Sequence, residues 1–225
     1  VADFARYLPL SQRPRVDERG VTSDRREPTA TVLRTIATAL RSAGDDAWTA
    51  HADDDATTVA EAVAELVAGF DRAPARRALE SAQHALGMGG RAPASDVRVE
   101  GPADAAAALE ARAVAIAERP QPTRLVELDD AVVAAVRIGD ALRSPIAVPA
   151  LASGAVALRR AAAAPTPIKA VISGHSLHAT DAAWTIGHGP VLVGTAHELI
   201  RFLAGIGTRA PRPARQGELG DGADA

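Results

Sequence analysis

His175, His178 and His188 crowd one short stretch near the C-terminal end, and the spacing "HSLH" invites a reading as paired metal ligands. On an extended chain, residues three apart project to opposite faces, so His175 and His178 do not converge on one ion. They read as surface or hairpin-loop residues. His197 follows Gly194-Thr195 into the first turn of a helix, and His84 sits on a weakly patterned helical stretch. Neither has a placed partner. The paired carboxylates are no better suited to proton transfer. Asp129 and Asp130 are adjacent and cannot share a helix face, and Asp53-Asp54-Asp55 reads as a solvated loop.

Nucleophile and phosphate chemistry fare worse. Ser176 lacks the Gly-x-Ser-x-Gly elbow that strains and exposes a catalytic serine. "GHGP" and "GMGG" are glycine-rich, but neither joins a strand to a helix with phosphate-loop spacing. The absence of cysteine excludes thiolate metal sites, disulfides and cysteine nucleophiles. Trp48 and Trp184 read as core or inter-domain anchors.

The elements that would carry a site are mostly helical. Residues 1–26 are charged and broken by Pro14 and Gly20, and read as a loose arm. Pro28 suits a helical first turn, and Val32, Leu33, Ile36 and Leu40 form a stripe ending at Gly44. Thr58 with Glu61 three residues later forms a capping-box pattern. It opens a second helix whose Val59, Val63, Leu66, Val67 and Phe70 share a face. A third helix is expected from Pro74 to about Leu86, then an Ala-rich one over 103–119, a longer one over 123–143 and another from Pro149.

From Pro165 the pattern changes to that of strands: "IKAVIS", "HSLHAT", "AWTI" and "VLV". Trp184 to Ile186 is expected to turn at Gly187-His188-Gly189-Pro190 and return as Val191-Leu192-Val193. Gly194-Thr195 then opens a last helix bearing Leu199, Ile200 and Leu203 on one face. The fold expected is mainly α with α+β: a helical bundle over 27–147, a small α+β domain over 148–207, and a disordered tail over 208–225.

Composition narrows the partners. A formal charge of −3 and few aromatics give no footprint for nucleic acid. Lys169 is the only lysine, and the Arg- and Ala-rich bias reads as high-GC coding. No apolar run reaches membrane-spanning length, no signal-peptide pattern opens the chain, and a cytoplasmic location is expected. The initial Val suggests an alternative start codon.

Three stretches resemble the mycothiol-dependent maleylpyruvate isomerase family: "DDAWTAH" with "TTVAEAVAELVAG", "AVVAAVRIGDALR", and "ATDAAWTIGHGPVLVGTAHELIRFLAGIG". The resemblance covers roughly residues 28 to 207. It implies a DinB-like four-helix bundle joined to a small sterol-carrier-like domain, and an isomerase or thiol transferase acting on a small acid or electrophile. It also implies a divalent metal, usually zinc, that acidifies the thiol of mycothiol as it would a bound water. Its ligands would be a second-helix His, and a Glu and a His four apart on a later helix.

Here those positions fall on Glu65, Val133 and Arg137, while Asp140 falls on the family's aspartate. Valine has no donor atom, and a guanidinium has no acceptor. If the register is shifted, Glu127 takes the glutamate position, but Ala131 stands where the His is needed. No bound zinc is therefore expected, and mycothiol enters only through the resemblance. Glu65 and Arg137 would face each other, so an internal ion pair is one reading and a pair of solvent-directed charges is the other. A small-molecule pocket involving Glu65, Arg137 and Asp140 is expected, serving either a metal-independent isomerase or transferase or a non-catalytic binder.

Overall fold

The computed structural model describes residues 24–71, 99–207 and 209–215 of the chain. The expected helix at 74–86, His84, and most of the expected arm and tail lie outside these residues. The described chain is mainly helical with a small sheet. Among the described residues no helix is long and apolar enough to cross a membrane.

Helix α1 (Arg26–Ala43) buries Val32, Leu33, Ile36 and Leu40 and ends at Gly44, as its stripe predicts. A short 3₁₀ turn (Asp45–Thr49) leads into a two-stranded hairpin, β1 (His51–Ala52) and β2 (Asp55–Thr58). Thr58 then caps α2 (Val59–Asp71): its hydroxyl accepts from the Glu61 N–H at 3.2 Å, while the Thr58 N–H donates to the Glu61 carboxylate at 2.9 Å. Two otherwise orphaned donors are thereby satisfied.

Helix α3 (Pro102–Ala117) packs mainly on α1, where Ala105, Ala106 and Ala113 leave room for close approach around Leu109 and Ile116. Helix α4 (Leu125–Ala141) is central and touches both α1 and α2. Its buried residues include Leu128, Val132, Val136 and Ile138. Asp130, Val133, Arg137 and Asp140 stay only partly covered. Those four recur at helical spacing, so they form one open stripe along an otherwise buried rod.

Helix α5 (Ala150–Ala162) bridges α4 and the C-terminal elements. Trp184 lies against it. Its ring comes so close to Gly154 that a Cβ there would sit 3.2 Å from the indole, and its Nε1 donates to Ser153 Oγ at 3.0 Å. Trp48 is partly buried against the same continuous core.

Two expectations need correcting. "IKAVIS" is not a strand but belongs to helix α6 (Thr166–Ile172). A short apolar run does not reveal its period, and the deciding feature is Pro167, whose fixed φ suits a helical first turn. Ile168 and Ile172, four apart, then face the core while Val171 stays exposed.

Nor do Trp184–Ile186 and Val191–Val193 form a hairpin. Strand β3 (Ser176–Ala179) lies between β4 (Thr185–Gly187) and β5 (Val191–Gly194), antiparallel to the first and parallel to the second. The "GHGP" segment crosses the start of β3 instead of turning back on itself. Gly187 and Gly189 have φ of 95° and 98°, and a Cβ on Gly189 would collide with the Gly174 carbonyl.

Helix α7 (Ala196–Leu203) closes the unit, with Leu199, Ile200 and Leu203 buried and Thr195 and Glu198 in reciprocal capping contact. Within the range of the expected tail, β6 (Arg212–Pro213) pairs antiparallel with β5. An edge strand tolerates proline because one row of its N–H groups needs no partner.

Candidate functional site

The open stripe of α4 supplies the charged groups. Arg137 donates from Nη1 to Glu65 Oε2 on α2 at 3.1 Å, and its Nε lies 3.6 Å from Asp55 Oδ2 at the start of β2. The second distance is an ion pair but too long for a hydrogen bond, and Arg137 Nε is buried without one. The side chains of Arg137, Glu65 and Asp55 are 28%, 34% and 17% exposed, so the cluster is half-buried rather than solvent-directed.

One turn further along α4, Asp140 accepts at both oxygens. Its Oδ1 is 2.7 Å from His197 Nε2, and its Oδ2 accepts from Arg201 Nε at 2.7 Å. Arg201 also holds Asp54 through Nη2. Burial pushes the Asp140 carboxyl upward, but His197 and Arg201 outweigh it and hold its pKa below the usual carboxylate value. Asp54, opposed by burial and then helped by Asp140, raises that of Arg201 further.

His197 is therefore not a lone first-turn histidine. It fastens α7 to α4. Gly207 makes room beside this network: at φ 125°, a Cβ there would lie 2.7 Å from Arg201 Nη1 and 2.9 Å from Asp54 Oδ2.

The run Asp53-Asp54-Asp55 thus differs from the solvated loop that its composition suggests. Each carboxylate meets a different arginine: Asp53 meets Arg143 at 3.5 Å, Asp54 meets Arg201, and Asp55 meets Arg137. Only the first pair is freely exposed, with side chains 82% (Arg143) and 93% (Asp53) accessible. Between the hairpin turn, the end of α4 and α7 lies a cleft of about 430 Å³ lined by Asp53, Asp54, Asp140, Arg143, Arg201 and Arg209.

The residues present do not fit a divalent ion at the place where the resemblance implies one. Val133 brings no donor, and the Arg137 guanidinium fills the space between the two carboxylates that could have served. Glu127 is engaged elsewhere, held by Arg119 at 3.2 Å and by the Arg124 N–H at 3.3 Å. Among the described residues no group of three or more His, Asp or Glu could hold a metal.

The C-terminal histidines stay separate. His175 Nδ1 contacts the Ser173 carbonyl, His178 Nδ1 contacts Thr185 Oγ1 at 2.8 Å, and His188 lies exposed in the crossing segment. Asp129, unpromising as a catalytic dyad, is instead a buried anchor. Arg160 Nε donates to it at 2.7 Å and Arg159 Nη1 at 3.1 Å, which ties α4 to α5.

Comparison with protein-family models, curated proteins and solved structures finds no match to this chain.

Proposed function

We propose that this chain is a metal-independent small-molecule-binding protein built on the plan of the mycothiol-dependent maleylpyruvate isomerase family, a four-helix bundle followed by a small α+β domain. Its ligand would sit in the cleft between the β1–β2 turn, the end of α4 and α7. The observation that carries this reading is the charged floor formed by Asp140, Arg201 and Asp54. One guanidinium is shared between two carboxylates, and the three groups line an open space of about 430 Å³ instead of being packed over. Its volume falls in the range of small-ligand sites, while its charged lining, with Ala52 the one apolar member, suits a polar ligand rather than an apolar one. Arg137, between Glu65 and Asp55, takes the position that the resemblance gives to the metal. It keeps a fixed positive charge there with no vacant coordination position.

The test is thermal stabilisation by a panel of small organic acids and thiols, mycothiol included, with and without zinc or a chelator. A ligand at a hundredfold excess over its Kd should stabilise the protein by about 2.7 kcal/mol. Neither zinc nor the chelator should change that value. Stoichiometric zinc surviving purification, with ligand binding lost on chelation, would overturn the proposal.

One contact favours a second reading, a metal-independent isomerase or thiol transferase. Asp140 orients the His197 imidazole as a carboxylate orients a general base. Turnover without metal that disappears in His197→Gln, with ligand binding retained, would select it.

A further inference from the structure

We propose that Arg143 and Arg209 form an anion-holding lip on this cleft, gripping the carboxylate or phosphate group of a small, singly charged organic ligand. The inference rests on the small-molecule reading above and names the chemistry of its ligand.

The charges lining the cleft sort into those already engaged and those to spare. Asp140 is engaged at both oxygens by His197 and Arg201, and Arg201 is shared between Asp140 and Asp54. Three groups remain. Asp53 and Arg143 meet only loosely, at 3.5 Å with both side chains largely in solvent. Arg209 is exposed and has no hydrogen-bond or ion-pair partner among the described residues. The lining as a whole balances three carboxylates with three guanidiniums, but because Arg201 serves both Asp140 and Asp54, one of the two remaining guanidiniums at the rim has no carboxylate of its own. A guanidinium presents paired N–H groups that match two oxygens of a carboxylate or a phosphate.

The backbone at Arg143 is a second, independent observation. Helix α4 ends in a Schellman pattern: the Ser144 N–H donates to the Gly139 carbonyl at 2.9 Å, and the Arg143 N–H to the Asp140 carbonyl at 3.0 Å. The first residue past the cap in this pattern, here Arg143, is left-handed, and its φ of 52° is the only positive value outside glycine among the described residues. Glycine is the residue that this position favours. An arginine held there at a conformational cost, on the wall of a cleft, is the kind of local strain that accompanies a binding role. Arg143 and Arg209 both line the cleft. Arg201 is then a positioning residue that holds the hairpin turn and α7 in place.

The experiment follows the arginine Nε–H signals by NMR on the full chain during titration with inorganic phosphate or with lactate, a monocarboxylate, against chloride at matched ionic strength. The expected result is a saturable shift of the Arg143 and Arg209 signals with one of the two probes, which identifies the anion class. The apparent Kd should weaken roughly tenfold to a hundredfold in Arg143→Gly and in Arg209→Gln. Arg143→Gly suits the left-handed backbone and should fold with an unchanged or higher Tm, so its lost binding could not be blamed on unfolding. Arg34→Gln, in α1 and not part of the cleft lining, should bind as the wild type does. Shifts no larger than those from chloride, or unchanged affinity in both cleft variants, overturn the anion lip. If the panel ligands still stabilise the protein in that case, the cleft remains a ligand site and only the anion assignment fails. If nothing stabilises it, the small-molecule reading fails with it.

Discussion

Arg137 holds two carboxylates apart as much as it pairs with either, and this asymmetry can be measured. Replacing Arg137 with Met removes the cation and leaves Glu65 and Asp55 facing each other across its former place. Replacing Glu65 with Gln removes one charge, keeps an acceptor for the guanidinium and leaves Asp55 at 3.6 Å. An exposed ion pair contributes about 0.2–1 kcal/mol. Breaking a fully buried one costs about 3–5 kcal/mol. With side chains 28% and 34% exposed, the pair lies between these limits.

We therefore expect Arg137→Met to cost about 2–3 kcal/mol and Glu65→Gln about 1 kcal/mol, with a coupling of about 1–2 kcal/mol in the double-mutant cycle. Urea denaturation of the four proteins at pH 7 supplies the values, provided the m-values agree. Repeating the cycle in 1 M salt adds a second check. The Debye length there is about 3 Å, so a solvent-exposed pair would lose most of its coupling while a half-buried one keeps part of it. Coupling below about 0.3 kcal/mol, or Arg137→Met proving no worse than Glu65→Gln, would refute the reasoning. The two side chains would then be neighbours without being partners.

Other expectations follow from the remaining charged contacts and one cap. Because the folded pKa of Asp140 is depressed, its contribution is full above the unfolded value of about 3.9 and is lost as pH falls through the folded one. The Tm of the wild type should thus drop more steeply in acid than that of Asp140→Ala, and the two curves should converge there; parallel curves between pH 3 and 5 would contradict this. Asp129→Asn leaves Arg159 and Arg160 facing each other with no compensating charge, and should cost about 2–4 kcal/mol in urea denaturation, below the fully buried limit because both arginines are partly exposed. Thr195→Ala removes the α7 cap and should cost about 1 kcal/mol, read as a shift in denaturation midpoint without a change in slope.

The helices were legible because burial writes a period into the sequence. Val32, Leu33, Ile36 and Leu40, and the Thr58–Glu61 capping pattern, announce their elements locally. The sheet was less legible. Strand order depends on which edges meet, and nothing in "TIGHGPVLV" alone says that β3 will lie between its two strands. Helix α6 misled for another reason: Ile168, Val171 and Ile172 have strand propensity, and only Pro167 argued otherwise. At the site, Glu65, Arg137 and Asp140 fall on or beside the charged face, since residues three and four apart on α4 must share a stripe. The other halves of those contacts carry no local signal. Asp54 pairs with a residue 147 positions away, and Asp129 with residues 30 and 31 positions away. Adjacent aspartates look like solvated loop until their arginines are placed in space.

The hairpin formed by β1 and β2 explains why the two charged centres are not independent. Asp54 and Asp55 are neighbours in the chain, Asp54 in the turn and Asp55 at the first position of β2, and their side chains meet different elements. Asp55 is directed to Arg137 on the open stripe of α4, and Asp54 to Arg201 on α7. Asp140 completes a closed circuit, because it stands one turn beyond Arg137 on the same helix and receives the other side of Arg201. A loop pinned on two sides by opposite charges cannot move toward one element without pulling on the other. Loss of the Arg137 pairing should therefore loosen the wall of the cleft as well as the contact between α2 and α4. In Arg137→Met, amide exchange at residues 52–55 should accelerate together with that at 201–207, while the α1–α3 contact keeps its protection. Acceleration confined to α2 would show that the hairpin joins the two centres in sequence only.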